Sequence, residues 1–261
     1  MTFGSLFLNV YVGALSMVTG AVMGSFLNAW AWRMVHGESV AKGRSHCTAC
    51  GHTLSAGDLI PVVSYLLRKG RCRYCGQKIS VRYLIVELLM GLCFVTVVFT
   101  YGLTVSTLKI LALCCILLLV GLVDCDTYTI PDGCIVAGLA LALVPGELSW
   151  REALLGAVIV SVPLLLIVLV ADRVMGRETM GGGDIKLFCM TGAHLGPAVA
   201  VLHLLVSCLV GILFFFIAHP ANEEKGEEKG MLPFGPAIGL AAWICLIAGR
   251  PLIHWYFSLF Y

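Results

Sequence analysis

Apolar segments of helix length alternate with short polar stretches along most of the chain. The first segment covers residues 7–32, and a helix needs about 20 apolar residues to cross a bilayer. After a polar loop the apolar pattern resumes and continues to residue 248. Proline and glycine interrupt it where we expect helices to end. The later predicted helices lie near 83–101, 106–124, 132–146, 152–171, 185–196, 197–218 and 233–248.

Composition supports a membrane location for these helices. Of the 261 residues, 59% are hydrophobic and only 12% are charged, with a mean hydropathy of +0.96. Soluble domains carry about 25% charged residues. Residues 1–32 contain no Lys or Arg, so we expect no positively charged start of a cleavable signal peptide. The sequence therefore predicts an all-α polytopic membrane protein with about eight transmembrane segments.

Small and polar residues in the first segment predict how it packs. Gly20, Gly24 and Ser25 are spaced for close contact with a neighbouring helix. Asn28 is polar and lies near the end of the same segment. For Asn28 we favour an interhelical hydrogen bond over a direct role in a functional site.

Residues 33–82 differ sharply in charge from the rest of the chain. They hold nine basic and two acidic residues, a net charge of +7, whereas the remainder sums to −5. The positive-inside rule places this loop in the cytoplasm and the N-terminus outside. Attraction to anionic lipid headgroups is compatible with the same charge. We predict three parts: a first transmembrane helix (1–32), a cytoplasmic domain (33–82) and a transmembrane core (83–261).

Four of the twelve cysteines form two CxxC pairs in this loop. Cys47 and Cys50 form the first pair, and Cys72 and Cys75 follow after 21 intervening residues. Two such pairs are typical of a structural zinc site with four thiolate ligands, and a reducing cytoplasm disfavours disulfides. A metal would also stabilise a 50-residue loop that has little core of its own. We therefore predict bound zinc rather than redox-active or unpaired thiols, with the flanking histidines as bystanders.

Two acids separated by 60 positions, Asp124 and Asp184, stand at the ends of predicted apolar helices. Acids at membrane depth are costly and usually functional. Alternation of the spans from the cytoplasmic loop puts both acids at the cytoplasmic face. Two carboxylates that share a proton can activate water and polarise a peptide carbonyl, so the pair is a candidate catalytic dyad.

Three glycines precede the second acid. Gly181, Gly182 and Gly183 remove every side chain beside Asp184 and allow backbone angles that other residues avoid. We expect an extended substrate to lie against this backbone.

Other acids compete with Asp124 for the first catalytic role. Asp126 lies two residues on, about 200° around a helix, so both cannot face Asp184. Asp132 follows Pro131 and is a candidate helix cap. The acids alone also leave two other classes of protein open: a proton-coupled transporter, and a zinc-bearing membrane assembly factor without catalysis.

Six motifs in a defined order cover nearly the whole chain. They are GSFLN (Gly24–Asn28), the two CxxC pairs, RY…E (Arg82, Tyr83, Glu87), DCDTYTIPD (Asp124–Asp132), GGGDIK (Gly181–Lys186) and PFGPAIGLAAW (Pro233–Trp243). In order and spacing the chain resembles the type IV prepilin peptidases, the bacterial aspartic proteases of the GxGD class. The position of Gly182 often holds a larger residue in that family, so we expect a flexible loop here.

The resemblance implies an activity and a location. Family members lie in the inner membrane. They cut the leader from prepilins of type IV pili and from pseudopilins of protein secretion. Cleavage follows a glycine and takes place at the cytoplasmic face. Many also methylate the new N-terminus with S-adenosylmethionine. The family's first catalytic aspartate lies six residues before the Ile of its IP motif, which corresponds to Asp124, and the acid of GxGD corresponds to Asp184. The family's zinc-type loop corresponds to the four cysteines. We expect no nucleic-acid partner and assign no methylation residues.

Overall fold

A computed structural model describes residues 5–40, 43–223 and 233–259, and these residues are almost entirely helical. Six of the helices are long and apolar enough to cross a membrane. The predicted all-α polytopic fold is therefore confirmed. The helices are α1 (Leu6–Val35), α2 (Val63–Leu67), α3 (Val81–Tyr101), α4 (Val105–Thr127), α5 (Asp132–Ala142), α6 (Trp150–Met175), α7 (Gly182–Leu195), α8 (Pro197–Glu223) and α9 (Gly235–Ser258).

The predicted count of about eight spans is not confirmed. Two predicted segments form short helices: α5 has 11 residues and α7 has 14, which correspond to lengths of about 16 and 21 Å. The hydrocarbon core of a bilayer is about 30 Å thick. Both helices are thus too short to cross it as straight helices.

The chain divides into two compact units, Met1–Leu111 and Ala112–Tyr261, here called unit 1 and unit 2. The boundary falls within α4, so this helix contributes to both units. The predicted three-part division at residues 32 and 82 stays a prediction.

In unit 1, α1 packs along α3 through glycines. A Cβ atom at Gly20 would lie 2.5 Å from the carbonyl oxygen of Met90, and one at Gly24 would lie 2.9 Å from that of Val86. From the other side, a Cβ at Gly91 would lie 2.6 Å from the sulfur of Met17. The predicted close packing of Gly20 and Gly24 is confirmed, because no larger residue fits between these backbones.

Asn28 departs from its prediction. Its side chain is buried at 3% exposure, and its amide nitrogen has no hydrogen-bond partner among the described residues. The predicted interhelical hydrogen bond is therefore not made by this nitrogen. A buried donor without a partner costs free energy, so this part of α1 is held in place by the packing around it.

The loop between α1 and α3 is fastened to α3 by a buried carboxylate. Glu87 is 6% exposed, and its Oε2 accepts a hydrogen bond of 2.7 Å from the backbone N–H of Val62. Val62 caps α2 with a φ of +62°, which is rare for a β-branched residue. The strained backbone directs an N–H group at the carboxylate, which fixes the position of the loop.

Unit 2 is built around α7, which packs against α5, α6, α8 and α9. Its Leu187, Met190 and Thr191 are completely buried. On one side, the backbones of Gly156 and Gly192 approach so closely that neither position accommodates a Cβ atom. Neighbouring helices therefore surround α7, whereas lipid would contact much of a helix at the edge of a bundle.

We expect Gly20→Ala to lower the free energy of unfolding by about 1–3 kcal/mol, because the added methyl group overlaps the backbone of α3. Thermal unfolding in detergent, followed by tryptophan fluorescence, measures the change. Gly13→Ala on the same helix is the matched control, since its Cβ would meet the Phe99 ring at an ordinary 3.5 Å. Equal midpoints for the two variants would contradict the close packing.

Candidate active site

Asp124 lies near the C-terminal end of α4 and is 4% exposed. Its Oδ2 accepts a hydrogen bond of 2.8 Å from the backbone N–H of Gly235, the first residue of α9. The first N–H groups of a helix have no partner within the helix and carry a partial positive charge. The start of α9 is thus a fitting partner for a buried carboxylate.

Gly235 was not among the residues predicted from sequence to form the site. A Cβ atom at this position would lie 2.7 Å from Asp124 Oδ2, so any residue other than glycine would displace the carboxylate. The adjacent Pro236 approaches α4 at Gly121, where a Cβ would lie 3.3 Å from the proline Cα. Proline in the first turn marks a helix start with free N–H groups, a signal that the sequence contains.

Asp184 stands in the first turn of α7, where the helix dipole favours negative charge. Its side chain is half-buried, whereas that of Asp124 is buried. Phe188, one turn after Asp184, has its ring centroid 6.3 Å from that of Phe234, the residue that precedes Gly235. The structure therefore brings the two predicted acids together within unit 2, one enclosed and one accessible.

The competing acids point elsewhere. The helix continues to Thr127, and Asp126 is exposed on it while Asp124 is buried, which agrees with the prediction that the two cannot both face Asp184. Asp132 begins α5, whose N-cap is Pro131, so the predicted cap at Asp132 is wrong. Asp132 instead accepts a hydrogen bond of 2.7 Å from the ammonium group of Lys186, and both side chains are exposed.

The three glycines before Asp184 contribute space. Gly181 is the N-cap of α7 with a φ of −61°, and none of the three adopts a positive φ, so the freedom of backbone angle that glycine allows is not used here. A Cβ at Gly182 would meet nothing within 4 Å, and one at Gly183 would lie 3.1 Å from Ile130. Gly181 and Gly182 are exposed. An open strip of backbone therefore adjoins the accessible acid.

The segment that leads into this strip is tied to the preceding helix. Asp172 Oδ1 accepts hydrogen bonds from the backbone N–H of Thr179 at 2.7 Å and from its hydroxyl at 2.6 Å. Gly176 ends α6 in the left-handed conformation. These contacts close the turn from α6 toward the glycines and limit how far Gly181 can move.

In unit 1, the four predicted cysteines meet. The sulfur atoms of Cys47, Cys50, Cys72 and Cys75 all lie within 4.8 Å of one another. Sulfurs around a tetrahedral zinc are about 3.8 Å apart for zinc–sulfur bonds of about 2.3 Å. The thiol donor set and its spacing fit a metal with little adjustment.

Both CxxC pairs form the same tight knuckle. Gly51 donates its N–H to the carbonyl oxygen of Cys47 at 2.9 Å, and Gly76 does so to Cys72 at 3.0 Å. Each glycine has a positive φ, near +70°, which favours glycine. The N–H groups of Cys75 and Tyr74 lower the pKa of Cys72 to about 7, which favours the thiolate that binds metal.

Side chains around the knuckles join them to each other. The His52 ring of the first lies 3.6 Å from the Tyr74 ring of the second. The Tyr74 hydroxyl donates to Asp58, and the Ser55 hydroxyl and N–H, with the Arg68 guanidinium, hold the pKa of Asp58 below its usual value. Among the described residues, the cluster able to hold a metal contains only the cysteines, in keeping with the prediction that the histidines are bystanders.

The fold and these two sites define a class: a multi-pass membrane protein with a paired-aspartate site and a four-cysteine cluster. The Bacterial Peptidase A24 N-terminal domain matches residues 18–101, and the Type IV leader peptidase family matches residues 111–216. The chain belongs to the Type IV leader peptidase family.

Similar proteins agree over almost the full length. The chain is 34% identical to a prepilin leader peptidase/N-methyltransferase of Pseudomonas putida, over 92% of the chain and 91% of that protein. A protein of the same description from Neisseria gonorrhoeae is 32% identical, with 96% of each covered. One from Myxococcus xanthus is 34% identical, over 96% of the chain and 76% of that protein. No solved structure matches the chain. None of this supports the transporter hypothesis.

We expect the purified protein to carry one zinc ion per chain and Cys72→Ser to lose it, because three thiolates hold the metal less tightly than four. Elemental mass spectrometry of protein purified without chelators measures the ratio. Cys208→Ser is the control, since Cys208 is exposed on α8 and is not one of the four clustered cysteines. Wild-type protein free of metal would contradict the assignment.

Proposed function

We propose that this protein is a membrane-embedded aspartic endopeptidase that removes the leader from type IV prepilins or type II secretion pseudopilins, cutting after a glycine. Membership of the Type IV leader peptidase family supports the reaction. The observation that carries the proposal is the buried Asp124, hydrogen-bonded to Gly235 at the start of α9, which packs against the first turns of α7 that bear the accessible Asp184.

The dyad acts through a shared proton. Two neighbouring carboxyl groups titrate as one unit, so that one is ionised and the other neutral near working pH. The ionised group takes a proton from a water molecule, whose oxygen bonds to the scissile carbonyl carbon. The neutral group donates a hydrogen bond to the carbonyl oxygen. The carbon–nitrogen bond then breaks, and the dyad returns a proton to the leaving amine.

The exposed strip at Gly181 and Gly182 is where the leader binds. Without side chains, this strip admits an extended peptide beside Asp184. A glycine before the scissile bond suits such close backbone approach, because it adds no side chain of its own. Hydrogen bonds to the main chain then hold the leader, and these bonds depend little on which side chains the leader carries.

Charge sets the orientation that we propose in the inner membrane. The loop with net charge +7 faces the cytoplasm, the N-terminus lies outside, and the dyad opens at the cytoplasmic face. A prepilin places a basic leader in the cytoplasm and an apolar helix among the spans. Like charge disfavours the basic loop as the leader's receptor, so the loop serves as a lid or contacts anionic lipid.

Methylation of the new N-terminus by S-adenosylmethionine rests on the names of the similar proteins. The cofactor supplies the methyl group. The described residues do not define a site for it, and no side chain is assigned to the transfer.

The four cysteines hold zinc as a structural ion. A fully ligated tetrahedral site leaves no open position for substrate, so the metal stabilises the loop without entering catalysis. Because Val62 of this loop is hydrogen-bonded to Glu87 of α3, metal binding also orders the loop against unit 1's helices.

We expect Asp124→Asn and Asp184→Asn each to reduce leader cleavage at least about a hundredfold, because an amide cannot exchange the proton that the dyad transfers. Cleavage of a prepilin-like peptide in detergent, followed by mass spectrometry, measures the loss. Asp126→Asn is the matched control: the same change two residues away, on the exposed side of α4, with activity kept. Cleavage retained by Asp124→Asn and lost in Asp126→Asn would refute the dyad.

Gly235→Ala tests the backbone support of Asp124. We expect it to reduce cleavage at least about tenfold, because the new methyl group would lie 2.7 Å from Asp124 Oδ2 and displace it. Gly239→Ala is one turn further along α9, where a Cβ would lie an ordinary 3.5 Å from Leu117, and should stay active. The same peptide assay measures both variants, and equal activities would rule out this support.

A further inference from the structure

His203 lies in the interior of unit 2 on α8, with 1% exposure, and the dyad mechanism does not use it. Its ring joins two other helices. Nε2 lies 3.0 Å from the carbonyl oxygen of Ile238 on α9, and Nδ1 lies 3.5 Å from the hydroxyl of Thr191 on α7. A carbonyl oxygen only accepts, so Nε2 carries the proton of this hydrogen bond.

On α9, the ring binds the turn that supports Asp124. Ile238 is one turn after Gly235, and its N–H donates to the carbonyl oxygen of Phe234 at 3.0 Å. Gly235 donates its own N–H to Asp124. A shift of Ile238 along or around the helix axis therefore moves the donor that holds the catalytic carboxylate.

On α7, the ring packs beside the turn that bears Asp184. Phe188 lies one turn after Asp184, so both are on the same face of the helix. Its ring centroid is 5.3 Å from that of His203 and 6.3 Å from that of Phe234. His203 is thus in contact with α7 within two turns of Asp184 and with α9 within one turn of Gly235, the donor to Asp124.

The partners of His203 do not depend on it for their hydrogen bonds. The Thr191 hydroxyl already lies 3.0 and 3.2 Å from the carbonyl oxygens of Leu187 and Phe188 on its own helix. The Ile238 carbonyl accepts the N–H four residues on within α9. An apolar residue at position 203 would therefore leave neither the Thr191 hydroxyl nor the Ile238 carbonyl without a hydrogen bond. Burying a polar atom costs free energy when its hydrogen bond is poor, and Nδ1 has only the 3.5 Å contact with Thr191, so stability alone does not account for the imidazole.

We propose that His203 is a positioning residue that sets the register of α7 against α9 and so fixes the separation of Asp184 and Asp124. The inference rests on the proposed endopeptidase function. His203 touches neither substrate nor the carboxyl groups, and it acts through α7, which carries Asp184, and through α9, whose Gly235 N–H holds Asp124.

Three variants test the role. His203→Leu fills the volume but removes the hydrogen bond to α9, His203→Gln keeps an N–H donor near the Nε2 position, and Ser207→Ala removes a buried hydroxyl that bonds only within α8. For His203→Leu we expect kcat for the prepilin-like peptide to fall about 10- to 100-fold with KM within about threefold. The thermal midpoint should stay near that of the wild type. We expect His203→Gln to recover most of kcat and Ser207→Ala to match the wild type.

The outcomes separate a positioning role from a structural one. Wild-type kcat in a folded His203→Leu variant overturns the inference, and so does an equal loss in His203→Leu and His203→Gln. If His203→Leu does not fold, His203→Gln decides: kcat near the wild-type value supports the role, and a loss of tenfold or more contradicts it. A wild-type protein that fails to cleave the peptide refutes the proposed function itself, whereas an active wild type with insensitive variants refutes only this inference.

Discussion

A buried carboxylate must find a hydrogen-bond donor inside the protein, and in this chain that requirement links distant elements. Asp124 obtains its donor from the backbone of Gly235, 111 positions away. To deliver that N–H, α9 must begin at Gly235, lie against α4, and present a residue without a side chain. The second acid then has to reach the same place from the start of α7. The packing of α7 and α9 in unit 2 therefore determines where the two acids lie.

Short helices make that placement possible. A helix that crosses the bilayer has its ends at the two membrane surfaces, whereas α5 and α7, with 11 and 14 residues, are too short to reach from one surface to the other. Hydropathy alone did not distinguish them from spans, because burial in protein and burial in lipid select the same apolar residues. This is why the order of the helices is confirmed while the predicted count of about eight spans is not.

The site was predictable where side chains carry the signal. Asp124 and Asp184 stand out because acids are rare in apolar helices, and the four cysteines stand out because two CxxC pairs are typical of a zinc site. Contacts made by the backbone left weaker signals in the sequence: the N–H of Gly235 on Asp124 and the N–H of Val62 on Glu87. The three glycines before Asp184 differ, because their lack of side chains predicts the open space that Gly181 and Gly182 provide.

The central claim is that both acids act on one substrate. The most direct measurement is an experimental structure in lipid with a leader peptide whose scissile bond is replaced by a hydroxyl-bearing transition-state mimic. The account predicts carboxyl oxygens of Asp124 and Asp184 both within about 3 Å of that hydroxyl. A mimic held by only one of them, or by another acid, would contradict it.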